Sequence, residues 1–452
     1  MCKGDLQLPI LPIDTGRYGT PEMLCVFQEQ TRIQKLLDVE AALAWAHGEV
    51  GDIPEKDAEK IIEMASTKYV KVERVKAIEK EIKHDLASLV RALAEQCASS
   101  GAYVHLGATS YDIVDTANAL QLRDATKIIE HRLVCMKTIM QQKAAKYKET
   151  LMMGRTHGQH ALPITLGFKF AVWGREIERH LKRLRDGHDR IIVGKVSGAV
   201  GSQASLGENA EHIQQLVMQR LDLRAAEIST QIVQRDRYAE FVCDLAMIAS
   251  SLENFATEIR ELSRPEIGEL FESFEVEKQV GSSTMPHKRN PETCERVCGL
   301  ARIVRSLTLV ALENIVTWHE RDLTQSSAER FILPEACILT DYLLSLMKGV
   351  VTNLRVDQQR MLQNVALTQG RCMSESVMMA LTRKGVNRQE AHELLRKLTI
   401  VSEVDKKPLK EVLLADPIVH KSLSCEEIDA ALDPKNYLGT AVKQAEVFAG
   451  GC

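Results

Sequence analysis

Long amphipathic stripes dominate this chain. Through residues 72–93 the apolar side chains Val75, Ile78, Ile82, Leu86, Leu89 and Leu93 recur every three or four positions, the period that lines one face of a helix. The spacing predicts one helix there, with His84 on its polar face beside Lys80 and Ser88. Thr109-Ser110-Tyr111-Asp112 reads as a capping box, after which Ile113, Val114, Ala117 and Leu120 begin a stripe that runs to about Met153. Residues 154–162 read as a loop, and a second helix is expected to open at Pro163 because proline suits a first helical turn. Phe241, Val242, Leu245, Ile248, Leu252, Phe255 and Ile259 predict a helix over 238–262. Residues 303–318 are apolar nearly all round, which predicts a helix buried on every side in a central bundle extended by other copies of the chain.

Nothing alternates persistently enough to predict strands. The expected class is all-α, in three domains. These are a helical N-terminal domain over 1–110, a long-helix bundle over 111–360 with a loop near 275–290, and a small helical domain over 361–452. The twelve prolines leave long gaps, from Pro54 to Pro163, Pro163 to Pro265 and Pro291 to Pro334, with room for uninterrupted helices.

Charge narrows the function classes. The 452 residues hold 58 basic and 62 acidic side chains, a net −4. No basic run suggests a nucleic-acid face, so an anionic substrate must meet a focused cation cluster. No stretch is apolar enough to span a bilayer, and the N-terminus lacks the apolar core of a signal peptide. Eleven scattered cysteines in such a chain point to reduced thiols and a cytoplasmic protein. Cys294 and Cys298 lie one turn apart without a second pair, so neither a metal nor a cofactor is expected.

Candidate chemistry concentrates in three runs. Gly281-Ser282-Ser283-Thr284-Met285-Pro286-His287-Lys288-Arg289-Asn290-Pro291 combines a free backbone, two hydroxyls, three anion-binding groups and a helix start. It describes a mobile loop that delivers a hydroxyl to an anionic substrate. In Gly154-Arg155-Thr156-His157-Gly158-Gln159-His160-Ala161-Leu162-Pro163 a histidine lies between glycine-rich turns, where it can present its ring to a cleft and change charge near neutral pH. His157 and His160 could equally share a metal ion, although no third ligand stands nearby. In His105-Leu106-Gly107-Ala108-Thr109-Ser110, the hydroxyls of Thr109 and Ser110 serve either as helix caps or as a carboxylate cradle.

The first run resembles, letter for letter, the signature loop of the fumarase/aspartase superfamily, all-helical tetrameric lyases that eliminate fumarate from a succinyl group. The second resembles a motif of its nucleotide-cleaving branch, and the likeness extends from Arg17 to Asp433-Pro434-x-x-Tyr437-Leu438-Gly439. The resemblance implies a small nucleotide as substrate, purine biosynthesis as its setting, and a homotetramer whose active sites are shared between subunits. It assigns Ser282 as the base, ahead of Ser283, and His157 as the general acid with His84 assisting. Lys83, Asp85, His105, Thr109, Ser110, Gln231, Ser283, Lys288, Arg289, Asn290, Arg296 and Arg321 become substrate-binding. Arg17 and Tyr18, with Ser326, Ser327 and Arg330 of Trp318-His319-Glu320-Arg321-Asp322-Leu323-Thr324-Gln325-Ser326-Ser327-Ala328-Glu329-Arg330, would meet a phosphate.

Three departures from the family pattern stand out. Lys83 replaces an arginine, Ala108 a leucine, and Tyr238 a histidine. The first loses two-pronged hydrogen bonding. Ala108 also occurs in the related carboxymuconate cycloisomerases, the alternative activity. A catalytically silent helical oligomer is the third reading, and retention of His84, His105, His157, Ser282, Ser283 and Lys288 weighs against it.

Overall fold

The structure, a computed structural model, describes residues 11–273, 284–285 and 287–450. Its long helices are Ser110–Lys146, Leu166–Ile191, Asp236–Leu262, Glu292–Glu313 and Thr324–Thr352. At 1.5 Å per residue the 37-residue first of these is about 55 Å long. The chain divides into two compact units, Met1–Val134 with Arg179–Leu252 and Cys298–Leu346, and Cys135–Glu178 with Glu253–Val297 and Met347–Cys452. Each long helix contributes to both.

In the first unit, Ile33, Leu37 and Leu43 of helix Glu29–Glu49 bury against Ile78, Leu89 and Leu93 and against Ile113, Ala117 and Ile213. Each of the leucine and isoleucine side chains among them, taken from water, contributes about 1.5–3 kcal/mol. In the second unit Phe170 meets Trp173 edge-on at 5.6 Å, and Trp173 stacks on Phe255 at 5.0 Å. The C-terminal helices of this unit gather a core of their own around Val377, Leu381, Leu395, Leu413 and Ile428.

Four expectations change. The 72–93 stripe is two helices, Val72–Ile82 and Asp85–Gln96, because Lys83 adopts a left-handed φ of 57° between them. The helix from Ser110 ends at Lys146, and the following apolar residues form a strand, Leu151–Thr156, that pairs antiparallel with Gln159–Thr165. Pro163 therefore lies in a strand opposite Met153, and the next helix starts at Leu166 with Thr165 Oγ1 accepting from the Phe168 N–H at 3.1 Å. The remaining strands are two-residue pairings, so the all-helical reading stands with short strands added. Finally, the apolar 303–318 stretch is helical only to Glu313, and part of it is exposed on the single chain. Leu309, Val316 and Trp318 are 62%, 75% and 75% exposed on this chain.

Candidate active site

In the first unit the break at Lys83 creates the site's first element. It places exposed His84 at the N-cap of helix Asp85–Gln96 instead of on a helix face, where Nδ1 accepts from the Ala87 N–H at 3.2 Å. Asp85 then pairs with Arg330, contributed by helix Thr324–Thr352. Burial pushes the Asp85 pKa up, but the Arg330 guanidinium outweighs it and holds the carboxyl below its usual range.

The start of helix Ser110–Lys146 is fixed by Asp112, whose fully buried carboxylate accepts from the Thr109 N–H at 2.8 Å. It also accepts from the Ser197 N–H at 2.8 Å and pairs with buried Lys195. The capping-box reading is thus half right, since the reaching-back carboxylate is present and also ties down a second loop. His105, left-handed at φ 66°, meets the Glu40 carboxylate at 2.7 Å. Burial lowers its pKa, and the Glu40 hydrogen bond and charge more than reverse this.

Tyr111 joins distant parts of the sequence. Its hydroxyl donates to Ser326 Oγ at 2.7 Å, and the Arg321 guanidinium lies 3.7 Å above its ring. Arg321 in turn donates to Gln231 Oε1 at 2.8 Å. Gln231, Arg321 and Ser326, three expected substrate-binding residues, are therefore brought together. Behind them Arg235 donates to Asp115 and Glu329, all three buried. Burial pushes the Glu329 pKa up to about 7 despite Arg235. Tyr238 has a structural part here, with Arg235 5.0 Å from its ring centre.

Above this network lies a cavity of about 270 Å³, lined by Arg32, Tyr111, Ser326, Glu329 and Arg330 among others. Arg32 was not anticipated from the sequence. Its pKa is lowered by burial and then by the nearby Arg330 charge, and among the described residues its guanidinium makes no hydrogen bond or ion pair. Two guanidiniums and a hydroxyl on one wall suit an oxyanion. Arg330 also borders a groove lined by Asp14, Thr15 and Gly16, next to which Arg17 donates to the Tyr18 hydroxyl at 3.4 Å. Ser327 and Lys83 are exposed.

In the second unit, His157 and Gly158 form the two-residue tip of the hairpin between Thr156 and Gln159. Their φ values, +54° and +73°, are the pair of positive angles that a type I′ turn requires. Glycine takes this at no cost, whereas a histidine there is strained. The ring is exposed at the tip. Gly154, at the bulge below, has no room for a side chain, since a Cβ would lie 2.6 Å from the Leu162 carbonyl oxygen. His160 is half-buried, with its pKa lowered by burial and by Arg155.

Ser282 and Ser283 lie outside the described residues. Lys288 and Arg289 are exposed, Asn290 is half-buried, and Arg296 is exposed on helix Glu292–Glu313. That helix begins one residue after the expected Pro291, and its first N–H groups are taken by Glu272. The carboxylate accepts from Thr293 at 3.2 Å and Cys294 at 2.6 Å. In a single chain, then, the first unit carries the cavity, His84 and His105, and the second carries His157 and Lys288.

Residues 16–305 match the family described as Lyase, and residues 370–448 match that described as Adenylosuccinate lyase C-terminus. The chain is 48% identical to an adenylosuccinate lyase of Methanocaldococcus jannaschii over 98% of its length and 96% of the relative's. It is 50% identical to that of Pyrococcus abyssi over 96% of both. Among solved structures, a fumarate lyase from Mesorhizobium sp. BNC1 superposes with a TM-score of 0.89 at 33% identity, covering 96% of this chain and 99% of that one. The 3-carboxy-cis,cis-muconate lactonizing enzyme of Pseudomonas putida superposes with a TM-score of 0.88 at 34% identity, covering 97% and 98%.

Proposed function

The chain belongs to the adenylosuccinate lyases of the fumarase/aspartase superfamily, and from that premise we propose how its own residues carry the reaction. As a carbon–nitrogen lyase (EC 4.3.2.2) of purine biosynthesis it eliminates fumarate from adenylosuccinate, leaving AMP. The same elimination releases AICAR from SAICAR, which carries the same succinylamino group, and we read both as its substrates.

Ser282 takes the proton from the carbon beside a carboxylate. The electron pair forms the new double bond, the C–N bond breaks, and the departing nitrogen takes a proton from His157, with His84 assisting. A serine is a weak base, so backbone N–H groups, Lys288 and exclusion of water must stabilise its alkoxide. Lys288, Asn290 and Thr109 hold the succinyl carboxylates, while Arg17, Ser326, Ser327 and Arg330 hold the phosphate. One observation carries this reading: the cavity lined by Ser326, Arg330 and Arg32, the last without a hydrogen bond or ion pair among the described residues.

We read the protein as a cytoplasmic homotetramer in which different subunits complete each site. Exposed Leu309, Val316, Trp318 and Phe331 supply the apolar surface such an assembly would bury. Among the described residues no helix is long and apolar enough to cross a membrane. Residues 361–452 are read as a third domain. Incubation of purified protein with adenylosuccinate and, separately, SAICAR tests the proposal. Fumarate should appear with AMP or AICAR, and turnover of carboxymuconate instead would move the chain to the cycloisomerase branch.

A further inference from the structure

Arg155 stands two residues before His157 on the first strand of the hairpin. Its terminal nitrogens donate to the two oxygens of Glu269 at 3.0 and 2.7 Å, and the Glu269 side chain is wholly buried. Asn364 donates to the same carboxylate at 2.8 Å. The main chain of Glu269 is also held, its N–H by the Leu262 carbonyl at 2.9 Å and its carbonyl by the Asp357 N–H at 3.0 Å. A carboxylate bonded from so many sides has one available position, and a two-pronged bond fixes the plane of its arginine as well as its distance.

Only Thr156 separates Arg155 from the strained tip, and Arg155 faces His160 across the hairpin. A rigid rotation of the hairpin large enough to displace its tip would disturb the Arg155–Glu269 pair. We propose that Glu269 is a positioning residue for the elimination, clamping the hairpin through Arg155 so that the His157 ring meets the departing nitrogen. This rests on the assignment of His157 as the acid. A salt bridge that only stabilised the fold would affect melting alone. A clamp affects the rate at saturating substrate, because a displacement of about 1 Å costs about 100-fold.

The test compares Glu269→Gln, Arg155→Lys, the neutral pair Arg155→Gln/Glu269→Gln and His157→Gln with the wild-type enzyme. Fumarate release from adenylosuccinate is followed well below each melting midpoint. For Glu269→Gln, kcat should fall about 10–100-fold while KM stays within about threefold. The neutral pair should recover melting temperature but not kcat, which separates position from stability. Should Glu269→Gln not fold, Arg155→Lys, which keeps the charge and loses the two-pronged bond, should show the same kcat loss. A kcat within about threefold of wild type in the folded single variants, or one restored together with melting temperature, overturns the proposal. Turnover retained by His157→Gln defeats the acid assignment itself, whereas an inactive His157→Gln beside an unimpaired Glu269→Gln defeats only the clamp.

Discussion

Tyr111 and Ser326 share a hydroxyl–hydroxyl hydrogen bond of 2.7 Å although 215 positions separate them. The bond fixes Ser326 in the lining of the cavity that Arg32 and Arg330 also border, where the proposed function seats the phosphate.

Replacing Arg330 with glutamine should therefore weaken nucleotide binding more than it slows the chemistry. The lost charge-assisted bond predicts a KM for adenylosuccinate raised about 10–100-fold, with a smaller change in kcat. Steady-state kinetics decide. An unchanged KM would move the phosphate elsewhere.

His157→Gln should lose the proton donor and lower kcat about 10²–10⁴-fold while AMP still binds. Rates and AMP titration on one preparation check both halves. Loss of AMP binding together with turnover would point to misfolding of the hairpin.

Replacing Ser282 with alanine should abolish most turnover and leave substrate affinity near wild type. The base assignment passes to Ser283 if the Ser282→Ala enzyme remains fast.

Stability should decline as pH rises from about 4.5 through about 7. Glu329 has a folded pKa raised to about 7 from 4.5, chiefly by burial. The folded chain thus binds that proton more tightly than the unfolded one, and the contribution, complete at low pH, is lost on the way up. His105, also raised, acts in the same direction at the upper end of the window. Glu329→Gln should flatten the dependence of melting temperature on pH between about 5 and 8, and an unchanged slope would place the effect in other groups.

A charge on the exposed apolar strip should dissociate the proposed tetramer. Leu309→Glu, at a side chain 62% exposed on the single chain, should shift sedimentation to smaller species and reduce activity with them. Full activity in a dissociated protein would show that one subunit suffices.

How much of this was legible in the sequence depended on the range of each interaction. Helices such as Asp236–Leu262 announce themselves because their stripes are local. The hairpin at Leu151–Thr165 did not, since Leu151, Met152 and Met153 extend the preceding helix's apolar run without a breaker until Gly154. Lys83 gave no warning either, because lysine is a good helix former and its left-handed φ is imposed from outside. The motif residues were legible through resemblance, but their partners were not. Arg155 finds Glu269 across 114 positions and Arg235 finds Asp115 across 120, and neither carboxylate carries a local mark. Arg32 lies in the first turn of helix Glu29–Glu49, where a cavity-facing arginine looks like any solvated one.

The cap at His84 has a chemical corollary. A ring that gives Nδ1 to its own helix must carry its proton on Nε2 when neutral. His84 therefore faces solvent as an N–H donor. Through that N–H it can steady a developing anion, while Nδ1 stays committed to the start of its own helix.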